Sequence, residues 1–354
     1  MSHIKDVAER AGVSITTVSR VINKSRKVSP GNFTKVEKAI SELNYSTNSI
    51  ARSLKVSKTN RIAVIITAIS RTFFTSVLEG VSHVAEKNGY TVVIAETNDN
   101  LDREIQLVNA FASQWVDGII LASSAYSNEA SAKEYIAQLG KLRKKDINIP
   151  VVSLEFTLDN PQIDAVIIDY EQAAFDAVTY LINEIGRSRI LHISHPKGHI
   201  IGNMRSEGYC RALSTAKLPR LDSYVIPGNY TTYSGYLAMR QFLDSGNPVD
   251  AVYCANDQMA VGVIKACEET GIRIPEDIAI IGTDDVFAAS IVSPTLSSIS
   301  IPKFEMGSVA MTLLHKRIMS SEPSERSVTM LGYDIIERES TKKGIKNFLK
   351  YLQW

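Results

Sequence analysis

The stretch "SITTVSR" (14–20) sets four hydroxyl side chains, Ser14, Thr16, Thr17 and Ser19, beside one guanidinium, that of Arg20. Short hydroxyl side chains approach phosphate oxygens closely. A guanidinium presents paired donors that match O6 and N7 of guanine in a DNA major groove. Val18, Val21 and Ile22 recur at helical spacing among these polar residues, so one face of a short helix is apolar and the other is free for recognition. The plain alternative is a surface helix of any small bundle. Charge supports the sharper reading: residues 1–60 hold eleven Lys and Arg against four Asp and Glu, a balance of +7, and the remainder holds 28 against 34, a balance of −6. A basic head on an acidic body suits a polyanionic partner.

Other residue types invite other chemistry. In "HISHPKGH" (192–199), His195 and His199 are four apart, but Pro196 and Gly198 oppose a helix that would present both on one face, and no carboxylate or cysteine completes a metal set. A solvated loop is the expectation there, with no metal and no cofactor. Asp257, Asp284 and Asp285 could be read as the acid–base carboxylates of a glycosidase. No nucleophile, base and orienting group accompany them, and neither a Walker loop nor a G-x-G-x-x-G follows a strand. Cys210, Cys254 and Cys267 are odd in number and form no C-x-x-C pair, which disfavours a disulfide framework or zinc ribbon and makes the cytoplasm the expected compartment. The start "MSHIKDVAER" carries charges where a signal peptide needs an apolar core, and the longest apolar run, "IAVIITAI", reads as a strand and is too short for a membrane span.

These residues must be held by elements, and the 354-residue chain is long enough for several. Apolar Ile4, Val7, Ala8 and Ala11 predict a first helix, and Gly12 ends it. Ser14 caps a second helix over about 15–23. Ser29 and Pro30 start a third, with a stripe of Phe33, Val36, Ala39, Ile40 and Leu43. Three such helices describe a helix-turn-helix over 1–46. "NSIARSLKV" (48–56) reads as a two-turn helix, too short to persist alone in water, followed by the polar "SKTN" within a 47–60 hinge and linker. Beyond residue 60, short apolar strands such as "RIAVIIT", "TVVIAET", "DGIILAS", "VVSLE", "DAVIIDY", "RILHIS", "DAVYCAN" and "IAIIGTDD" alternate with amphipathic helices. That rhythm predicts parallel strands buried on both faces, and about ten of them suit two α/β lobes over 61–340, with ligands at the carboxyl ends of the strands.

"IKDVAERAGVSITTVSRVIN" with "YSTNSIARSLKV" resembles the head and hinge of the lac/gal repressor family of bacterial transcriptional regulators, and the likeness continues in "GVIKACEETGIRIPEDIAIIGTDD" and "SPTLSSISIP". It covers all but about the last dozen residues. The resemblance implies an α/β fold with a helix-turn-helix head, a hinge helix and a two-lobed core like periplasmic binding proteins. It implies three crossovers, near 159–162, 292–295 and 320–324, hence an N-lobe of about 61–160 and 293–321 and a C-lobe of about 162–292 and 323–340. It implies base reading by Ile15, Thr16 and Arg20, phosphate contacts from Thr17, Ser19 and Asn23, and a minor-groove wedge at Leu54 with Ala51 and Lys55 beside it. An apolar wedge unstacks a base step, and pyrimidine–purine steps yield most easily, so a central CG is expected in the operator. Ile15 stands where many relatives carry a polar residue, and it would read by apolar contact.

In the core, the resemblance places a small-molecule effector against Phe73, Phe74, Phe156, Arg205, Tyr230, Asn256, Asp257 and Asp284. Aromatic faces and forked polar groups suit a sugar. "GHIIGNMR", with His199 and Ile201 before Arg205, favours a sugar or sugar phosphate over a purine. The expected protein is a repressor without enzymatic activity, a homodimer on a near-palindromic operator in double-stranded DNA, with no membrane partner. A cytosolic sugar-binding protein, or a sugar-processing enzyme with an accessory DNA-binding head, is the alternative. The tail "TKKGIKNFLKYLQW" (341–354) is too short for a coiled coil and predicts no tetramer.

Overall fold

The computed structural model describes residues 3–23, 28–45, 59–113, 116–125, 130–144, 147–196, 198–320 and 325–344. They fall into two units, within 1–59 and 60–354. The expected hinge helix, with Ala51, Leu54 and Lys55, and the tail from 345 onward lie outside the described residues.

In the first unit, α1 (Ile4–Ala11), α2 (Ile15–Asn23) and α3 (Pro30–Glu42) follow the spacing of their apolar residues. Gly12 stops α1 because its backbone turns left-handed, with φ of 63°, a conformation glycine adopts without steric cost. Seven buried residues form the core: Val7, Ala8, Ala11, Val18, Val21, Val36 and Ala39. Ile40 and Leu43 pack against it, but Phe33, expected on the same stripe, is exposed. It lies in the first turn of α3, whose buried residues are Val36 and Ala39. Arg10 on α1 pairs with Glu42 on α3 at 2.6 Å.

The second unit is built on two six-stranded sheets. The first is ordered β13-β7-β6-β3-β1-β2 and comprises β1 (Arg61–Ile66), β2 (Thr91–Glu96), β3 (Gly118–Leu121), β6 (Val151–Glu155), β7 (Asp164–Ile168) and β13 (Val328–Leu331). All its neighbours are parallel. A short antiparallel ribbon of β4 (Arg143–Lys144) and β5 (Ile147–Asn148) stands apart from it. The second sheet is ordered β14-β12-β11-β10-β8-β9. It comprises β8 (Ile190–Ser194), β9 (Val225–Pro227), β10 (Ala251–Cys254), β11 (Ala279–Asp284), β12 (Ser297–Ser300) and β14 (Asp334–Ile336), with only β14 antiparallel among the described pairs. Every residue of β3, β6, β8, β10 and β11 is buried, which is what continuous apolar runs require once helices cover both faces.

Sheet membership moves all three crossovers later than the expected positions. The strand 164–168 pairs with 151–155 in the first sheet, so the chain leaves that lobe near Asp169 rather than at 159–162. "DNPQ" is instead a turn inside the lobe: Asn160 donates to the carbonyl of Ile136 and accepts from the amide of Gln162. The return falls at Ile301–Pro302, after β12, because "VSPT" (292–295) only leads into β12 of the second sheet. The third crossing lies between β13 and β14, near 332–333, instead of 320–324. In each case the strand that precedes the crossing still pairs within the sheet the chain is leaving. The N-lobe is therefore 61–168 with 303–331, and the C-lobe is 170–300 with the segment from 334.

Candidate functional sites: the head helix and the cleft between the lobes

On the head, Ser14 caps α2. Its hydroxyl accepts from the amide of Thr17 at 3.1 Å and meets the Thr17 hydroxyl at 2.9 Å. The cap fixes where the helix starts, and so which side chains face outward. Val18 and Val21 are buried, while Ser14, Ile15, Thr16 and Arg20 are exposed, Ile15 by 44%. Thr17 and Ser19 are half-buried at the edge of the exposed face. Asn23 ends α2, and its side chain lies outside the described set. A helix with exposed hydroxyls, one exposed branched apolar residue and a guanidinium fits a groove better than a core.

The core unit closes around a second cluster. The carboxyl ends of β1, β6, β10 and β11 and the loops that follow them bring Thr67, Arg71, Glu155, Asn256 and Asp284 to one place. Phe73, Phe74, His199, Ile201, Arg205 and Tyr230 complete the lining. Phe73 and Phe74 open α4 (Phe73–Lys87) and meet edge to face with ring centroids 5.1 Å apart. Arg205 sits on α8 (Ile200–Thr215), 5% exposed, with its Nη2 3.4 Å from Oδ1 of Asp284 and its Cζ 4.6 Å above the ring of Tyr170, the first residue of α7 (Tyr170–Asn183). Tyr170 in turn donates to Glu155 at 3.0 Å. Among the described residues, Nε of Arg205 is buried with no acceptor. Burial pushes Glu155 up to about 7 against the pull of Arg205, and pushes Asp284 up to about 6 against Arg205 and Lys303.

Arg71 closes the cleft from the other lobe. It forks onto both oxygens of Asp99, donates to the Thr67 hydroxyl at 2.8 Å, and lies 4.5 Å from the centre of the Tyr230 ring. Gln258 adds a neighbouring tie, donating to the carbonyl of Ser70 and accepting from the amide of Thr72. The cavity left in the cleft is about 30 Å³, room for no more than a few waters. A sugar needs several times that space, so its entry requires the lobes to part or Arg71 to move.

The structure brings Phe73, Phe74, Arg205, Tyr230, Asn256 and Asp284 together, and sets two expected residues apart. Phe156 belongs to the N-lobe core, with its carbonyl accepting from Ser153. Phe156 lies just past β6, and it is Glu155, the last residue of that strand, held at a left-handed φ of 71°, that lines the cleft. Asp257 is fully buried behind the site, accepting from the Ser298 hydroxyl at 2.6 Å and the Val286 amide at 2.8 Å. Asn256 is placed as a cap, accepting from the amide of Met259 and donating to the carbonyl of Tyr230.

The histidine segment corrects the expectation of a solvated loop. His195 and His199 are 5% and 8% exposed. His199 caps α8 by accepting from the amide of Gly202, and its ring meets that of Tyr230. Burial holds His199 down at about 2, so it is a neutral imidazole in the wall. His195 lies so close to Gly202 that a Cβ there would sit 1.8 Å from the imidazole. Reading the sequence missed Thr67, Arg71 and Glu155, and it weighed His199 and Ile201 for the effector class without placing them in the lining. The available signal was their place at or just past the carboxyl ends of apolar strands, where open α/β sheets bind ligands.

A helix-turn-helix unit and a two-lobed α/β core with a polar, aromatic-lined cleft define a DNA-binding transcription regulator of the effector-responsive kind. Comparison with known proteins makes this specific. Residues 3–48 match the family described as "Bacterial regulatory proteins, lacI family", and residues 178–341 match a "Periplasmic binding protein-like domain". The chain is 36% identical over 340 residues to catabolite control protein A of Priestia megaterium, covering 96% of this chain and 99% of that protein. It is 35% identical to the transcriptional repressor PurR of Vibrio atlanticus, covering 97% and 99%. Among solved structures, the lac repressor dimer bound to operator and an anti-inducer matches with a TM-score of 0.81 at 25% identity, covering 96% of this chain and 99% of that one. A complex of the regulator CelR with cellobiose matches at 0.70 and 30%, covering 96% and 100%. The chain belongs to the lacI family of bacterial regulatory proteins. It is a DNA-binding transcriptional regulator of repressor type, and its relatives are regulators rather than enzymes. No helix among the described residues is long and apolar enough to cross a membrane.

Proposed function

We propose that this regulator is a repressor whose operator affinity is set by a small polyhydroxylated effector, a sugar or sugar phosphate, enclosed between the lobes of the core. The observation that carries the reading is the buried cluster of Arg205, Asp284 and Glu155 beside Phe73, Phe74 and Tyr230. A hydroxyl accepts from the free Nε of Arg205 while donating to a carboxylate, and adjacent hydroxyls do both at once. The effector acts by its difference in affinity for the closed and open core, and shifts operator binding by no more than that difference.

On the DNA side, Ile15, Thr16 and Arg20 read base edges, and Ser14, Thr17, Ser19 and Asn23 hold the backbone. The exposure of Ile15, Thr16 and Arg20 on one face of α2 supports this assignment. Ala51, Leu54 and Lys55 belong to the hinge segment, where Leu54 wedges into the minor groove at a central CG step. One head covers a half-site, so a homodimer on a near-palindromic operator follows.

A purine effector is the second reading, favoured by the Phe73, Phe74 and Tyr230 rings in the lining, which offer flat faces to a base. Against it, one face of the Tyr230 ring is taken by the protein's own Arg71, which leaves less stacking surface for a flat base. Melting the protein against neutral sugars, sugar phosphates, and hypoxanthine and guanine separates the readings, because a ligand of the folded state raises the melting point. A rise with a sugar or its phosphate that D284N abolishes supports the proposal. A rise confined to the purines replaces it.

A further inference from the structure

Asp284, the cleft carboxylate at the end of β11, sits on an uncommon turn. Its φ is 104° and that of Asp285 is 51°, so two successive non-glycine residues hold left-handed backbone. Such a turn persists only where its surroundings over-determine it. Here the surroundings are specific. The amide of Asp285 donates to the Ser298 hydroxyl at 3.0 Å, and the amide of Val286 donates to Asp257 at 2.8 Å. Asp285 pairs with Arg338 at 2.7 Å. The carbonyls of Asp284 and Asp285 both accept from the ammonium of Lys303, which also reaches the carbonyl of Ile301 at 3.3 Å.

Lys303 is an unusual residue to find there. It is 5% exposed, and a lysine this buried is rare unless its charge is matched. It is the first residue of α12 (Lys303–Met319), which packs on α4 and under β3, β6 and β7 of the N-lobe. Its ammonium, however, lies in the C-lobe turn. Two residues before it, at Ile301–Pro302, the chain crosses between lobes. One side chain thus joins the start of an N-lobe helix, the crossover, and the backbone that carries a C-lobe cleft carboxylate.

We infer that Lys303 is a positioning residue for the cleft: it holds the 284–286 turn through its carbonyls, aims the Asp284 carboxylate at Arg205, and ties that aim to the lobe crossover. This rests on the proposed role of Asp284 in effector binding, but its test needs no effector. A three-donor ammonium satisfies three carbonyls, two from the turn that ends β11 and one from the crossover, which no neutral side chain of the same length does. When the lobes rotate about the crossover, α12 carries the ammonium with it, so the turn and the lobe angle change together.

The experiment is amide hydrogen exchange on the full-length chain without ligand, comparing wild type with K303M, K303R and D284N. In K303M the amides of Asp285, Val286 and Ala289 are expected to exchange at least tenfold faster, together with the first turn of α12, while β1, β3 and β10 exchange as in wild type. K303R, which keeps a charged multiple donor, is expected to stay within threefold of wild type. D284N is expected to leave these amides unchanged, because Lys303 acts on the carbonyls and not on the carboxylate. Unchanged exchange at 285–289 in a folded K303M overturns the inference, and so does a uniform acceleration across both lobes. If K303M does not fold, K303R decides alone: wild-type exchange at the turn supports the role of the charge, and tenfold acceleration at the turn refutes it. Failure here leaves effector binding by Asp284 to be judged by the melting panel.

Discussion

E155Q should make the protein more stable at pH 8 and leave it nearly unchanged at pH 4. Glu155 is buried beside Arg205 and accepts from Tyr170, and desolvation outweighs both attractions, holding the carboxyl at about 7 against an ordinary value of 4.5. The folded state therefore binds the proton more tightly than the unfolded chain. Between pH 4.5 and 7 the folded state carries more protons, so stability falls as pH rises through this window and is level above it. A displacement of about 2.5 units at 1.36 kcal/mol each gives about 3 kcal/mol at pH 8. That is a ceiling, since lobes that part rehydrate the carboxylate. Glutamine keeps the shape and an acceptor for Tyr170 without the charge. Urea unfolding of wild type and E155Q at pH 4, 6 and 8 measures the difference, which should grow with pH to about 1–3 kcal/mol. An E155Q protein less stable than wild type at pH 8 would show that the attraction to Arg205 outweighs the cost of burial, and would refute the reasoning.

Three further outcomes follow from the same structure. R20A should lose about 1–3 kcal/mol of discrimination between operator and random DNA, the contribution of a bidentate guanine contact; equal loss on both DNAs, by fluorescence anisotropy, would make Arg20 a phosphate contact. R71A removes the guanidinium that reaches from the N-lobe over Tyr230 of the C-lobe, so the core should open and its radius of gyration in small-angle scattering should rise; an unchanged scattering curve means the clasp does not hold the lobes. G202A puts a Cβ against the buried His195 ring and should cost about 1–3 kcal/mol in thermal unfolding, as overpacking does, whereas a neutral effect would mean the ring moves aside freely.

Periodicity alone determined much of this molecule. In the head, α1 ends at Gly12, α2 starts behind the Ser14 cap and α3 starts at Pro30, because those constraints act within a few residues of chain; the Ser29 hydroxyl, expected as a cap, makes no cap bond. The parallel strands of the core are readable for the same reason: a strand buried on both faces needs an unbroken apolar run, as in Ile62–Ile66 and Ala279–Ile281. The family resemblance then placed Phe73, Phe74, Arg205, Tyr230, Asn256 and Asp284 in one cleft. What the sequence left undecided is long-range. Strand 164–168 looks the same in either lobe, and only its pairing with 151–155 assigns it to the first sheet and moves the crossover to Asp169. Glu155 lines the cleft and Phe156 joins the core because β6 ends in a left-handed turn at Glu155, with φ of 71°, which no apolar pattern in the sequence announces. Asp257 and Asp284 are indistinguishable carboxylates in the sequence. The tertiary structure buries the first among Ser298 and Val286 and gives the second to the cleft, because burial and hydrogen-bond partners come from segments tens of residues away.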